Sequence, residues 1–210
     1  ARLKEIKVVT SLEEIPSTKE INFVLNLAGE SLASGRWNKK LKQKFINSRL
    51  DMTNKLYDYF TNTKSYPEVI ISGSAVGYYG PQGDNFIDED SGYNNSYTNH
   101  LCTLWENNAS RFVHLGSRVC FLRIGIVLGE GEGALKRMIP PFNFGLGGKL
   151  GTGKQWFPWI HIKDQINLIF HCLEHQKLSG AINSCSPNPV TNQEFIQELG
   201  SVLSRPVFLS

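Results

Sequence analysis

Apolar residues recur along this chain in two rhythms: short unbroken runs, and longer stretches in which they return every three or four positions. The runs are Lys7 to Thr10, Phe23-Val-Leu-Asn-Leu-Ala-Gly29, Val69-Ile-Ile71, Arg118-Val-Cys-Phe-Leu-Arg123 and Ala181 to Ser186. Short runs rich in Val, Ile and Phe predict strands, and their continuous apolar character predicts cover on both faces of a parallel sheet. Between the runs the period lengthens. Leu41, Phe45, Leu50, Leu56 and Phe60 return to one face and predict a helix from Asn38 to about Thr61. Leu101, Leu104, Trp105 and Phe112 predict another from about Tyr97 to Gly116. A third is predicted from about Ile162 to Glu174, and Thr191-x-x-Glu194 is a capping box that opens a last one, to about Leu203. Gly80 to Asn95 reads as a polar loop, and Gly125 to Trp159 as glycine-rich, aromatic and irregular. Strands alternating with helices give βαβ units, hence an α/β fold: a doubly wound parallel sheet with helices on both faces, one domain over 1–210.

Composition narrows the function classes. The chain has 22 basic and 19 acidic residues, a net charge of +3, and no long basic block. Nucleic acid is therefore not the expected partner, because phosphate binding needs clustered Lys and Arg. Lys39, Lys40, Lys42 and Lys44 alternate with Leu41 and Phe45 and read as the solvated side of a helix. The four cysteines, Cys102, Cys120, Cys172 and Cys185, are widely spaced without a C-x-x-C pair. Reduced thiols are expected, with neither a metal site nor a disulfide framework. No apolar run approaches a membrane span and no signal-peptide pattern opens the chain, so a cytoplasmic protein without a membrane partner is expected.

The most informative stretch is Glu68 to Gly80, EVIISGSAVGYYG. Its strand breaks into Ser72, Gly73, Ser74 and Ala75, with Tyr78 and Tyr79 just beyond. Ligands of open α/β sheets bind outside the carboxyl ends of the strands, where small residues let a flat cofactor approach the backbone. A hydroxyl there, such as that of Ser74, can hydrogen-bond a reacting carbonyl or alcohol. Three look-alikes are set aside. Gly148-x-x-x-x-Gly153-Lys154 lacks the Ser/Thr of a phosphate loop, since Gln155 follows. His171-x-x-Glu174-His175 has an inverted-zincin spacing but no evident third ligand. Ser74 lacks the G-x-S-x-G of a hydrolase nucleophile, because Ser72 and Val76 stand at the glycine positions.

Six segments in order resemble the extended short-chain dehydrogenase/reductases, within them the epimerase-family branch of SDR39U-like proteins. They are NLAGESLASGRW (26–37), NSRLDMT (47–53), ISGSAVGYYG (71–80), LRIGIVLGEGEGAL (122–135), PPFNFGLGGKLGTGKQWFPWIHIKD (140–164) and SPNPVTNQEF (186–195). The resemblance implies a Rossmann-type fold holding NADP, with NAD as the alternative, and a small-molecule substrate of sugar-like or carbonyl character. Cofactor contacts are implied for Asn26, Leu27, Ala28, Gly29, Arg49, Ser72, Arg123, Gly125 and Val127, with substrate-side elements over 130–160 and 186–210. Ser74 matches the Ser/Thr that polarises the substrate oxygen. The aromatic loop Gly145–Trp159 with His161 resembles a substrate-side lid, and Asp164 is expected to cap the helix that follows.

Two departures matter. Extended reductases also use a Tyr-x-x-x-Lys pair, in which the Lys charge lowers the Tyr pKa. By spacing from Ser74 that pair belongs near Thr98 and Cys102, where the chain reads Tyr97-Thr-Asn-His-Leu-Cys102 without a Lys. Tyr97 is the candidate catalytic tyrosine, with Tyr78 and Tyr79 as substitutes. The glycine-rich turn that normally opens such a fold is also missing from these residues. The resemblance implies a longer protein with about forty further N-terminal residues, leaving the Phe23–Asn26 edge open and the 210 residues alone weak in NADPH binding. Two functions stay open: an NADP-dependent oxidoreductase or epimerase, and a non-catalytic dinucleotide-binding regulator.

Overall fold

The computed structural model describes residues 6–207. Its centre is a four-stranded sheet of β1 (Phe23–Asn26), β2 (Val69–Ala75), β3 (Arg118–Ile124) and β7 (Gly180–Ser184), in the order β1-β2-β3-β7. Every adjacent pair is parallel, with Asn26 opposite Ser72, Ser74 opposite Arg123, and Arg123 opposite Asn183. Parallel neighbours bring all their carboxyl ends to one edge.

Helices cover both faces. On one side α1 (Lys39–Thr63) and the turn after α2 (Tyr97–Ser110) bury Phe60 and Phe112 against Ile70 and Val119. On the other, Cys172 of α4 (Ile162–Glu174) closes over Val69, Ile71, Cys120 and Leu122. Ile71, Cys120 and Leu122 are fully buried, and burying an aliphatic side chain of that size stabilises the fold by about 1.5–3 kcal/mol. The doubly wound fold read from the sequence is the fold observed.

Four local expectations change. Lys7 to Thr10 form no strand, and Val8 is 83% exposed. An isolated extended segment pairs with nothing unless a neighbour offers free backbone groups. β1 ends at Asn26 and is only half covered, with Phe23 51%, Leu25 46% and Leu27 50% exposed. Its register explains this: Phe23 and Leu25 lie opposite Val69 and Ile71, on the α4 side, and α4 packs over β2 and β3 instead. The segment after Gly125 is more regular than its composition predicts. It holds β4 (Ile126–Gly129), α3 (Gly133–Asn143), β5 (Trp156–Phe157) and β6 (Trp159–His161). α3 runs through Pro140 and Pro141, although a proline removes the amide donor that a helix interior uses. Finally, α2 ends at Ser110 and continues to Leu115 as a tighter 3-10 segment.

Beyond β7, β8 (Val190–Thr191) leads into α5 (Asn192–Val202). β4 pairs with β6 in parallel and β5 with β8 antiparallel, two small sheets beside the main one. The capping box is formed: Thr191 Oγ1 accepts from Glu194 N, while Glu194 Oε2 accepts from Thr191 N at 2.7 Å. His161, not Asp164, caps α4, its Nδ1 accepting from Lys163 N.

Candidate functional site

Leu27–Gly29, Ser74–Ala75 and Arg123–Gly125 follow or end three parallel neighbours and so lie along one edge, where the sequence places them. Asn26 shapes the first of these strand ends. Its Oδ1 accepts from Ala28 N at 3.2 Å, and its Nδ2 donates to Thr53 Oγ1 of α1 at 3.1 Å, which turns the chain outward. Leu27 and Gly29 are exposed there and Ala28 half-buried. Ser72 is fully buried below the edge, its hydroxyl on the carbonyl of Gly73. Val127 sits on β4, paired with Ile160, and is half-buried.

The strand-end glycines are small for a reason internal to the protein. A Cβ on Gly29 would stand 2.9 Å from Arg49 Cζ, and one on Gly73 2.8 Å from Trp105 Cη2. A Cβ on Gly125 would stand 2.6 Å from the carbonyl oxygen of Pro158 and 3.1 Å from Cys185 Sγ. Contacts below 3 Å are repulsive for carbon, so each position admits only glycine without rearrangement.

Arg49 lies under this edge. It is buried, donates from Nη1 to the carbonyls of Glu30 and Phe45, and stacks 4.8 Å from the Trp105 ring. Burial pulls its pKa below the ordinary guanidinium value. Its Nε and the indole Nε1 of Trp105 are buried without a hydrogen-bond partner among the described residues. An unpartnered buried donor is costly unless water or a ligand reaches it, and Arg49 Nε is the group here that fits an acceptor such as a ribose or phosphate oxygen.

Ser74 belongs to a buried polar network. Its Oγ donates to Glu106 Oε1 at 2.6 Å. Glu106, on α2, accepts two further bonds from Arg123, Nε to Oε1 and Nη2 to Oε2, each 3.0 Å. Arg123 Nη1 then donates to the Tyr79 hydroxyl at 2.9 Å, and Tyr79 donates to Asn183 Oδ1 at 2.7 Å. The Arg123 guanidinium also lies 3.5 Å from the centre of the Tyr78 ring. Burial works against the Arg123 charge, but the bonds to Glu106 and Tyr79 outweigh it and hold the pKa above the ordinary value. Tyr79 is raised by burial, with Arg123 acting in the opposite sense. The main donors of Arg123 are thus engaged inside the fold, so its part at the edge is to hold Ser74 and Tyr79 in place.

Tyr97 does not join this network. Its hydroxyl donates to the carbonyl of Lys42 on α1 at 2.7 Å, and its ring meets Trp37 edge-on. Burial raises its pKa. Lys42 Nζ lies 4.8 Å from the centre of the Tyr97 ring, but among the described residues the tyrosine hydroxyl hydrogen-bonded to a cationic side chain is that of Tyr79. Sequence reasoning did not find Glu106, because nothing local marks it: it is an acid on a helix face, 32 positions from Ser74.

The loop Gly80–Asn95 is tied over the β3–β7 side of the edge. Glu89 Oε1 accepts from Asn183 N at 2.7 Å, and Asp84 Oδ1 accepts from Trp156 Nε1 at 2.9 Å. On the other side, Arg137 of α3 donates to the carbonyl of Ala33, in the segment after β1, at 3.2 Å. These ties give the edge two walls. A shallow surface hollow elsewhere, lined by Lys39, Lys40, Gln43 and Lys44, has all its lining on α1 and encloses nothing. Among the described residues no helix is long and apolar enough to cross a membrane.

Parallel strands in this order, helices on both faces and small residues at the carboxyl edge define a dinucleotide-binding fold of the Rossmann type. Residues 4–184 match the NAD dependent epimerase/dehydratase family, and the chain belongs to it. It is 43% identical over 188 residues to the chloroplastic epimerase family protein SDR39U1 homolog of Arabidopsis thaliana, and 40% identical over 192 residues to mouse epimerase family protein SDR39U1. Those alignments cover 89% and 90% of this chain but 54% and 65% of the two relatives, so the chain spans less than two thirds of their lengths. The crystal structure of human SDR39U1 (isoform 2) with NADPH superimposes with a TM-score of 0.83 at 35% identity, over 91% of this chain and 65% of that one.

Proposed function

We propose that this chain is the nicotinamide-side part of an NADP(H)-dependent oxidoreductase or epimerase acting on a sugar-like or small carbonyl compound. The observation that carries the reading is the carboxyl edge itself. Three parallel strand ends, two walls and one unpartnered Arg49 Nε lie together, in a chain whose human relative is crystallised with NADPH. The nicotinamide, when bound, accepts or returns a hydride at the substrate carbon. The chain's residues do the rest. Asn26 shapes the exposed Leu27–Gly29 turn as a surface for the cofactor, Arg49 Nε takes an oxygen of it, and Val127 offers an apolar wall.

Ser74 holds the substrate oxygen as an acceptor, since its own proton is directed at Glu106. A substrate alcohol can therefore donate to it directly. Tyr79, bonded to Arg123, is the tyrosine–cation pair of the site in place of Tyr97.

One observation favours a second reading. Ser74 and Tyr79 are both buried, each within a closed set of internal partners, as in a dinucleotide-binding protein that regulates without turnover. Fluorescence titration of the full-length protein with NADPH and NADH, followed by absorbance at the nicotinamide band against a panel of carbonyls and nucleotide sugars, separates the two. The first reading expects tighter binding of NADPH than of NADH, and turnover that Ser74→Ala removes. Binding without turnover across the panel establishes the second, and no binding of either nucleotide overturns both.

A further inference from the structure

The segment that leads from β2 to α2 is held differently from the rest of the fold. Residues 81–95 contain no helix or strand, and none of them is buried. Phe86, the large apolar side chain of its tip, is 95% exposed. The neck, by contrast, is pinned. Asn94 N donates to the Tyr79 carbonyl at 2.8 Å, and Asn94 Nδ2 to the Pro81 carbonyl at 2.6 Å. Gln82 Nε2 bridges the carbonyls of Tyr79 and Gly92, and Tyr93 meets Tyr78 edge-on beside them. Within the body, Ser91 Oγ donates to Asp88 Oδ1 at 2.6 Å and closes a turn. A surface loop with joined ends and a body held by its own side chains is an Ω-loop, a form that often carries function.

Beyond the neck, three hydrogen bonds join this loop to the rest of the described residues. Asp84 Oδ1 accepts from Trp156 Nε1 at 2.9 Å, Glu89 Oε1 from Asn183 N at 2.7 Å, and the Glu89 carbonyl from Arg123 Nη1 at 3.4 Å. The first two use exposed carboxylates and the third is long. Both residues that Glu89 touches also hold the Tyr79 hydroxyl: Arg123 Nη1 donates to it, and Asn183 Oδ1 accepts from it. Glu89 therefore sits over that hydroxyl, and Tyr79 is 3% exposed. A segment without buried apolar contacts, held by a few bonds near solvent, opens more readily than the core beneath it.

We propose that residues 81–93 form a flap, hinged at the Asn94 neck and latched by Glu89, that lifts to give a substrate access to the Tyr79 hydroxyl. The inference rests on the reading of Tyr79 and Arg123 as the tyrosine–cation pair of the site. Lifting breaks the Glu89 and Asp84 bonds alone. The bonds of Tyr79 to Arg123 and Asn183 stay, so the hydroxyl is uncovered in place. A substrate that binds only the lifted state has its apparent affinity reduced by the fraction of molecules in that state. Glu89 thereby sets how tightly substrate binds without touching it.

The test treats the folded full-length protein with N-acetylimidazole, which acetylates accessible phenols, and maps the products by peptide mass. Tyr79 should react slowly in the wild type and roughly tenfold faster in Glu89→Ala, the equivalent of one hydrogen bond to a charged group. Trp156→Phe, which removes the donor to Asp84, should also raise the rate. Tyr57 and Tyr59 on α1 should react alike in all three proteins. In turnover of a carbonyl compound or nucleotide sugar, Glu89→Ala should lower KM rather than raise kcat. Equal Tyr79 rates in wild type and Glu89→Ala, or a rise shared by Tyr57 and Tyr59, overturns the flap. Faster labelling with KM unchanged overturns its part in substrate access. If no compound is turned over, the reading of the site falls while the labelling still decides the flap. Should Glu89→Ala fail to fold, Trp156→Phe carries the same comparison.

Discussion

Ser74 Oγ donates to Glu106 Oε1 across 2.6 Å, joining the end of a central strand to the helix packed on it. Glu106 is in turn paired with Arg123, the register neighbour of Ser74 on the adjacent strand. Strand, helix and strand are thereby bound at one point, at the edge where a cofactor would lie.

That geometry sets the response to substitution. Glu106→Ala leaves the Arg123 guanidinium buried without its counter-charge, and breaking a buried pair from one side destabilises by about 3–5 kcal/mol. Denaturant unfolding should show this loss. Replacing both partners together by Leu and Met should recover much of it, because neither charge is then left buried alone. A Glu106→Ala protein as stable as the wild type would show the pair to be energetically idle.

Tyr79→Phe removes a hydroxyl that accepts from Arg123 and donates to Asn183. Asn183 Oδ1 then loses its donor and Arg123 Nη1 keeps only the longer bond to the Glu89 carbonyl at 3.4 Å, which should cost about 1–3 kcal/mol. If the melting temperature is unchanged, water replaces the hydroxyl and the network is open to solvent.

Gly73→Ala places a methyl 2.8 Å from Trp105 Cη2. Overpacking of this kind costs about 1–3 kcal/mol. Trp105→Phe removes the clashing end of the indole, so the double variant should lose less than the sum of the singles in a double-mutant cycle. Strict additivity would place the strain elsewhere.

Two linkages should appear in the dependence of stability on pH. Cys185 is lifted by burial to about 11 from an ordinary thiol value of 9.0. A raised folded value means its contribution is complete below pH 9 and is lost as pH rises towards 11, a loss that Cys185→Ser should remove. Glu194 is lowered by accepting from Thr191. Its contribution is present above the ordinary carboxylate value and fades as pH falls through the lowered one, a dependence that Thr191→Ala should weaken. Losing the Thr191 cap should itself cost about 1 kcal/mol. Equilibrium unfolding of both variants from pH 3 to 11 checks each sign.

Local pattern was sufficient for the main-sheet strands and for α1, α2, α4 and α5, but not for β4, β5, β6, β8 and α3. The Val69–Ile71 run, the Leu41-to-Phe60 period and the Thr191–Glu194 box each carry their structure within a few residues, and each appears where the sequence puts it. Alternation of strand and helix then leaves a parallel sheet covered on both faces as the arrangement that buries every run. What fails is also physical. The Lys7–Thr10 run has the composition of a strand but no partner, and the glycine-rich 125–159 segment, read as irregular, holds α3 and three short strands.

The site divides in the same way. The sequence by itself determined where a ligand edge falls, because strand ends, glycines and a serine are marked by residue type. Only the tertiary structure decided what those residues do there. It turned Ser74 towards Glu106, bonded the Tyr79 hydroxyl to Arg123 and that of Tyr97 to the Lys42 carbonyl, filled the space over Gly29 and Gly73 with Arg49 and Trp105, and left Phe23 and Leu25 half-uncovered. The reason is range: a strand or a cap is fixed by neighbours within one or two turns, whereas a buried charge finds its partner through packing between elements far apart in the chain.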